Sequence, residues 1–318
     1  MPPVLTAALI LCGALLLFLL ILTLVLFLGA CRPQRGRDDD AFVRHTAKKA
    51  GEEKAQLMLS ACRAMAALPG ETLIVSGSDG AVLRGRYLPC GSGGKRVALL
   101  CHGWNSSPAY DFAPLVPIYQ SLGFDVLAIE QRAQNGSGGR YMTFGVLESD
   151  DIRVWCELLA ARGTAQILLC GISMGAASVL LALRRPLPRQ VAGAVADCGY
   201  DSAENEVLSI GRRNHLPARL LLPFMDIWAR LLGHFSFYDA DAASALAEST
   251  LPVLLIHGTA DRFVPCDCAR RLAKKRDCET LFVEGAPHAL ACLFDPDGYK
   301  AAVAAFIARH FAPISDKE

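Results

Sequence analysis

Gly171-Ile172-Ser173-Met174-Gly175 follows the apolar run QILLC (166–170) and precedes AASVLLAL. Strand, sharp turn and helix in that order lift a serine hydroxyl to the head of the helix, where it can act as a nucleophile. Flanking glycines suit the crowding of so tight a turn. The N–H groups that open the helix can meet negative charge developing on a carbonyl oxygen. Such a serine needs a base, and the base needs an acceptor that orients its ring. His288 lies in GAPHAL after the last strand-like run, and Asp261 lies in HGTADRFVP after PVLLIH. Asp197, which closes VAGAVAD, is the rival acid. His257 reads as a brace for the loop around Asp261, and His45, His215, His234 and His310 have no comparable setting. The chemistry implied is attack of Ser173 on an acyl carbon, with His288 as base and Asp261 as its partner.

An oxyanion formed by that attack needs two converging donors. The N–H of Met174, the residue after the serine, is one expected donor. The N–H of Trp104, in Cys101-His102-Gly103-Trp104-Asn105, is the other, because Gly103 lets the backbone approach the substrate. The Trp104 ring is also expected to wall the acyl or leaving-group pocket.

Elements of a particular kind must position these residues. ETLIV and AVLRGRYL, joined by Gly77-Ser78-Asp79-Gly80, read as a hairpin. RVALLC (96–101), DVLAIE (125–130), QILLC, VAGAVAD (191–197), PVLLIH (252–257) and ETLFVE (279–284) read as further strands. Helical stretches are expected from Ala109 to Leu122, over 146–162 and 174–184, and near 266–276 and 298–310. Alternation of this kind predicts a mainly parallel eight-stranded sheet with helices on both faces, and loops at the strand ends that share one crevice. The insertion 198–251 is apolar and helix-like despite Pro217 and Pro223. It reads as a small helical cap in which Phe224, Met225 and Trp228 meet the substrate.

The 318 residues carry 32 Lys and Arg against 31 Asp and Glu, a formal net charge of +1, which offers no general field for nucleic acid. Gly136, Gly138 and Gly139 do not open a nucleotide-binding helix, and no phosphate-binding loop with its lysine occurs, so cofactor readings fail. The 12 cysteines include a C-x-C at Cys266 and Cys268 and no C-x-x-C, and the seven histidines do not cluster with them. No metal or organic cofactor is expected. Cys101, Cys170 and Cys198 read as small buried apolar residues, and the scattered usage suits a reducing compartment.

From Val4 to Ala30 the chain is apolar and uncharged, long enough to cross a bilayer. Arg32, Arg35 and Arg37 follow and no charge precedes, which predicts a retained single-span anchor with the rest of the chain in the cytoplasm. Leu28-Gly29-Ala30-Cys31 resembles a lipoprotein cleavage box, so a lipoprotein or secreted form is the alternative. Residues 1–31 are thus read as the anchor or signal segment, 32–40 as a linker, 41–69 as a helical segment ended by Pro69-Gly70, and 70–312 as the catalytic domain.

HGWNSS at 102–107, GISMG at 171–175, ADCGY at 196–200, HGTADRFVP at 257–265 and GAPHA at 285–289 together resemble the alpha/beta-hydrolase superfamily. The likeness is to its serine-aminopeptidase-like or monoacylglycerol-lipase-like branch, bacterial members of which also begin with a hydrophobic segment. It covers about residues 40–312. The resemblance implies an alpha/beta-hydrolase fold and carries nucleophile, acid and base onto Ser173, Asp261 and His288. One departure stands out. Relatives commonly read D-Q-R-x-H-G-x-S after the fourth strand, where this chain has Glu130-Gln131-Arg132-Ala133-Gln134-Asn135-Gly136-Ser137.

The function expected is hydrolysis of a small, amphiphilic carboxylic ester, with the membrane met through the N-terminal segment and no obligate protein partner. A serine aminopeptidase or amidase would use the same groups. A membrane-tethered binding protein on the same scaffold is the non-enzymatic alternative.

Overall fold

The computed structural model describes residues 2–33, 41, 44, 48–91 and 93–313. Most of the expected linker and residues 42, 43 and 45–47 of the helical segment lie outside these, as do Arg35 and Arg37.

Eight strands form one sheet: β1 (Glu71–Ser76), β2 (Val82–Leu88), β3 (Arg96–Cys101), β4 (Asp125–Glu130), β5 (Gln166–Ile172), β6 (Val191–Asp197), β7 (Val253–Gly258) and β8 (Glu279–Val283). Their order is β1-β2-β4-β3-β5-β6-β7-β8. β1 and β2 form the expected hairpin, β2 runs antiparallel to β4, and the rest of the sheet is parallel. The composition of the strands follows their position. β5, β6 and β7 are apolar and buried almost throughout, as strands covered on both faces must be, whereas the edge strand β1 is largely exposed.

The helices, in chain order, are α1 (Pro3–Cys31), α2 (Glu52–Ala67), α3 (Pro108–Phe112), α4 (Val116–Ser121), α5 (Val146–Ala161), α6 (Met174–Ala182), α7 (Ala203–Arg213), α8 (Ala218–Trp228), α9 (Ala242–Glu248), α10 (Asp267–Lys275), α11 (Ala291–Phe294) and α12 (Pro296–His310). Every residue of α6 is buried, which makes the helix after Ser173 a rigid support. One expectation needs correction. The single helix from Ala109 to Leu122 is two, α3 and α4, because Pro114 and Pro117 each lack the N–H that a continuous helix would use. Within the segment read as helical before residue 70, Lys48–Ala50 form a 3₁₀ turn and α2 follows from Glu52, after Gly51 at φ 95°. Met58 and Leu59 of α2 pack with Tyr110 and Leu290, so this segment rests on the domain.

The insertion between β6 and β7 holds α7, α8, one π-helical turn (Ala229–Gly233), a short 3₁₀ turn (Phe237–Asp239) and α9. α1 is the one described helix long and apolar enough to cross a membrane. Pro3–Phe18 are exposed along its length, whereas Thr23, Phe27 and Cys31 are fully buried.

Candidate active site

The nucleophile candidate sits where β5 turns into α6. Ser173 has φ 57° and ψ −119°, a conformation costing a non-glycine residue about 1–3 kcal/mol. The surroundings hold it there. The Ser173 N–H donates to the Asp197 carbonyl (2.9 Å), and the Ser173 carbonyl accepts from Ala177 (3.1 Å). The flanking glycines are sterically required: a Cβ on Gly171 would stand 2.3 Å from the Gly175 carbonyl oxygen.

His288, in the loop between β8 and α11, places Nε2 2.9 Å from Ser173 Oγ. Its Nδ1 lies 2.6 Å from Asp261 Oδ2. Asp261 is pinned in turn, since its Oδ1 accepts from the N–H groups of Phe263 (2.8 Å) and Val264 (2.9 Å). His257 stands below, with Nε2 3.0 Å from the Val264 carbonyl and 3.3 Å from Asp261 Oδ2. An Nε2–H on His257 serves both acceptors, the bracing role expected of it. Burial works to raise the Asp261 carboxyl, yet the His288 charge and the hydrogen bonds from His257 and His288 outweigh it and hold the acid at about 2. Burial works to lower His288, and the charges of Asp261, Glu206 and Asp111 overcome it, so its basicity is raised.

Asp197 does not compete for the ring. Its carboxyl is 2% exposed, one of its oxygens has no hydrogen-bond partner among the described residues, and burial pushes its pKa up to about 7.

The loop after β3, where one oxyanion donor is expected, lies against Ser173: a Cβ on Gly103 would lie 3.2 Å from Ser173 Cβ. The Gly103 N–H donates to Asp111 Oδ2 (2.6 Å), and Ser106 Oγ donates to Asp111 Oδ1 (2.7 Å). Asp111 was not singled out from the sequence. Its local signal is a position in the first turn of α3, a helix capped by Ser107. His102 locks the same loop. Its Nε2 accepts from the Gln131 N–H (3.1 Å), which leaves Nδ1–H to donate to the Gly103 carbonyl (2.9 Å). Burial pushes this imidazole down to about 4, so it stays neutral. Trp104 follows Gly103 in that loop. Met174 is the first residue of α6, so its N–H has no carbonyl in its own helix.

The departure after β4 has a physical account at Asn135. Its φ is 52°, in the left-handed region that favours glycine and where Asn is among the tolerated residues. Its side chain donates to the Ser106 carbonyl (3.1 Å), tying the β4 loop to the β3 loop. Gln134, in the usual histidine position, is 2% exposed with both amide atoms unpartnered among the described residues.

Two of the four residues expected to meet the substrate, Trp104 and Trp228, bond α1 through their indole N–H groups. Trp104 Nε1 donates to the Ala30 carbonyl of α1 (2.7 Å). Trp228 Nε1 donates to the Leu20 carbonyl (3.2 Å) and Thr23 Oγ1 (3.3 Å), again on α1. Met225 is buried in the main core, and Phe224 is half-buried on α8. Among the described residues, the ring packed on His288 belongs to Phe263, at 4.9 Å between centroids. Phe263 stands two residues after Asp261 in HGTADRFVP, a signal that sequence reading had in hand. Arg213, at the end of α7, donates to the Arg262 carbonyl (2.6 Å) and stacks on Phe263 at 5.0 Å. The insertion is thus tied to the acid-bearing loop.

Donor atoms of Cys198, Asp261 and His288 lie within 4.8 Å of one another. Asp261 and His288 already satisfy each other, and burial pushes the Cys198 thiol well up, which disfavours the thiolate a metal would need.

The chain is 26% identical over 214 residues to the uncharacterized protein YqkD of Bacillus subtilis, spanning 66% of this chain and 70% of that protein. It is 29% identical over 207 residues to the uncharacterized protein Rv2307c of Mycobacterium tuberculosis, spanning 64% of this chain and 66% of that protein. An esterase of Pyrococcus furiosus shares the fold with a TM-score of 0.63 at 21% identity, covering 77% of this chain and 92% of that one. An esterase of Exiguobacterium antarcticum does so with a TM-score of 0.56 at 13% identity, covering 75% and 100%. The model of the alpha/beta hydrolase family matches residues 98–305, which include Ser173, Asp261 and His288, and the chain belongs to that family.

Proposed function

We propose that this protein is a serine hydrolase that cleaves carboxylic esters through an acyl-enzyme, in the manner of a carboxylesterase or monoacylglycerol lipase. The reading rests on one observation: the line of contacts from Ser173 Oγ to His288 Nε2 (2.9 Å) and from His288 Nδ1 to Asp261 Oδ2 (2.6 Å). His288 takes the hydroxyl proton as Ser173 Oγ attacks the ester carbonyl. The N–H groups of Met174 and Trp104 receive the oxyanion, and losing one such donor costs ~3 kcal/mol of transition-state stabilisation. The imidazolium, held by Asp261, passes its proton to the departing alkoxide, and the C–O bond breaks. Water, deprotonated by the same ring, then releases the acid and restores Ser173. The phenyl ring of Phe263 beside His288 offers an apolar wall to the substrate. Family membership and the esterases that share the fold agree with this reading.

The test is labelling with a fluorescent fluorophosphonate, with S173A and heat-denatured protein as controls and intact mass to locate the adduct. A Ser173 adduct in the folded wild type alone is the expected result. Its absence from demonstrably folded wild type would put the binding-protein reading first. Aryl esters, monoacylglycerols and aminoacyl anilides then separate ester from amide cleavage, and turnover of the anilides alone would move the assignment to an aminopeptidase.

A further inference from the structure

α1 is not a free tether. Its first sixteen residues, Pro3–Phe18, are exposed, and its remainder lies on the catalytic domain. Phe27 is fully buried and packs on Tyr141 at 5.2 Å between centroids, and the Cys31 carbonyl accepts from the Met142 N–H (2.7 Å). The sixteen exposed residues of that helix rise only about 24 Å, whereas the hydrocarbon core of a bilayer is about 30 Å thick. A membrane that accommodates α1 therefore reaches roughly one turn into the docked part, to the level of Leu20 and Thr23. Trp228 of α8 bonds α1 at that level, the depth at which tryptophans gather in membrane proteins.

The outer face of α8 and the turn after it is apolar at helical spacing. Leu220 is 60% exposed, Ile227 43% and Leu231 63%, with Leu216 just before the helix also exposed. The opposite face, with Leu221, Leu222 and Met225, enters the core. Arg212 and Arg219 are exposed beside this patch. The acid on α8, Asp226, is turned inward, where it accepts from Ser236 and the Phe237 N–H. Exposed leucines, an interfacial tryptophan and flanking arginines are the pattern of a helix lying in an anionic lipid surface.

We propose that α8 lies in the interfacial layer of the leaflet into which α1 descends, so that the insertion beside the site rests on lipid and the site takes its acyl ester from that leaflet. Placement of α8 rests on α1 spanning the membrane, and the supply of substrate rests on the ester-hydrolase reading above. By the positive-inside reading of Arg32, Arg35 and Arg37, the leaflet is the cytoplasmic one.

The test uses the full chain in vesicles of phosphatidylcholine and phosphatidylglycerol containing a phospholipid with a diazirine on its acyl chain. After illumination, adducts are mapped by mass spectrometry. Adducts on Pro3–Phe18 and on the peptide containing Leu220, Ile227 and Leu231 are expected. Adducts confined to α1, or none on α1, would overturn the proposal, as would cross-links joining α8 to a second copy of the chain. The triple variant L220K/I227K/L231K then probes supply. It should cut turnover of a long-chain monoacylglycerol in vesicles by about tenfold or more while sparing a soluble short-chain aryl ester. Equal loss on both substrates, or on neither, would reject lipid-side supply. A wild type inactive on both would instead count against the ester reading, while the adduct map still judges where α8 lies.

Discussion

Gly175 runs so close to Cys101 that a Cβ on it would stand 1.9 Å from the Cys101 carbonyl oxygen. Two backbones, the start of α6 and the end of β3, meet there with no flexible side chain to give way. Gly175→Ala is expected to destabilise the protein by about 3 kcal/mol or more, and to abolish activity with it. Denaturant unfolding of the variant against wild type checks the first part, and a wild-type midpoint would refute it.

Asp261→Asn should leave the fold intact, because an amide oxygen can still accept from Phe263 and Val264. The amide cannot stabilise the imidazolium, and it favours the wrong tautomer of His288. A loss of roughly 10⁴-fold in kcat is expected with the circular-dichroism spectrum unchanged. Esterase assays on purified protein decide it, and a loss below tenfold would return Asp197 to consideration.

The acid limb of the activity profile should sit above the ordinary histidine value, since Asp261, Glu206 and Asp111 raise His288. The ring must be neutral to take the serine proton, so kcat/KM rises as pH climbs through that midpoint. Glu206→Gln removes one of those negative charges and is expected to shift the midpoint to lower pH. A profile of kcat/KM against pH for both proteins tests this, and an unmoved or raised midpoint would contradict it.

Asp197 and Glu206 are buried carboxyls raised to about 7, the first chiefly by burial and the second by burial against the pull of Arg213. Their folded values exceed the unfolded ones, near 4. They therefore add stability that is fully present below pH 4 or so and disappears as pH rises through about 7. Asp197→Asn should flatten that fall, so that Tm differs from wild type more favourably at pH 8 than at pH 5. Thermal melts at the two pH values read the sign directly.

Much of this molecule is legible in the chain. The strands declare themselves because each is a short apolar run with its own boundaries, and β3, β4 and β6 fall on the residues their patterns mark. The eight-stranded sheet and the family follow from that alternation and from motifs such as GISMG. Proline chemistry was equally local, yet the run from Ala109 to Leu122 reads as one helix until Pro114 and Pro117 are weighed. Asn135 illustrates an intermediate case. Its difference from the usual glycine is visible at once, but only the backbone shows that Asn135 sits at a left-handed φ of 52°, a conformation glycine adopts freely.

Tertiary structure alone decided which side chains meet. Ser173, His288 and Asp261 come from three loops, and the sheet's parallel order is what brings those loops to one end. Trp104 reads as a pocket wall from its place in the loop after β3, and Trp228 from its place in the apolar insertion. The fold shows in addition that their N–H groups bond α1, Trp228 across 208 positions of sequence. No periodicity within α8 could show that partner, since a helix pattern reports which face is apolar and not what covers it. The same holds for Asp111 beneath Gly103 and for Phe263 against His288. Residue types and local spacing determined the elements and the chemistry available to them. Close packing of distant segments determined which of those residues share a site, because burial and hydrogen bonding are satisfied by whatever the fold brings within reach.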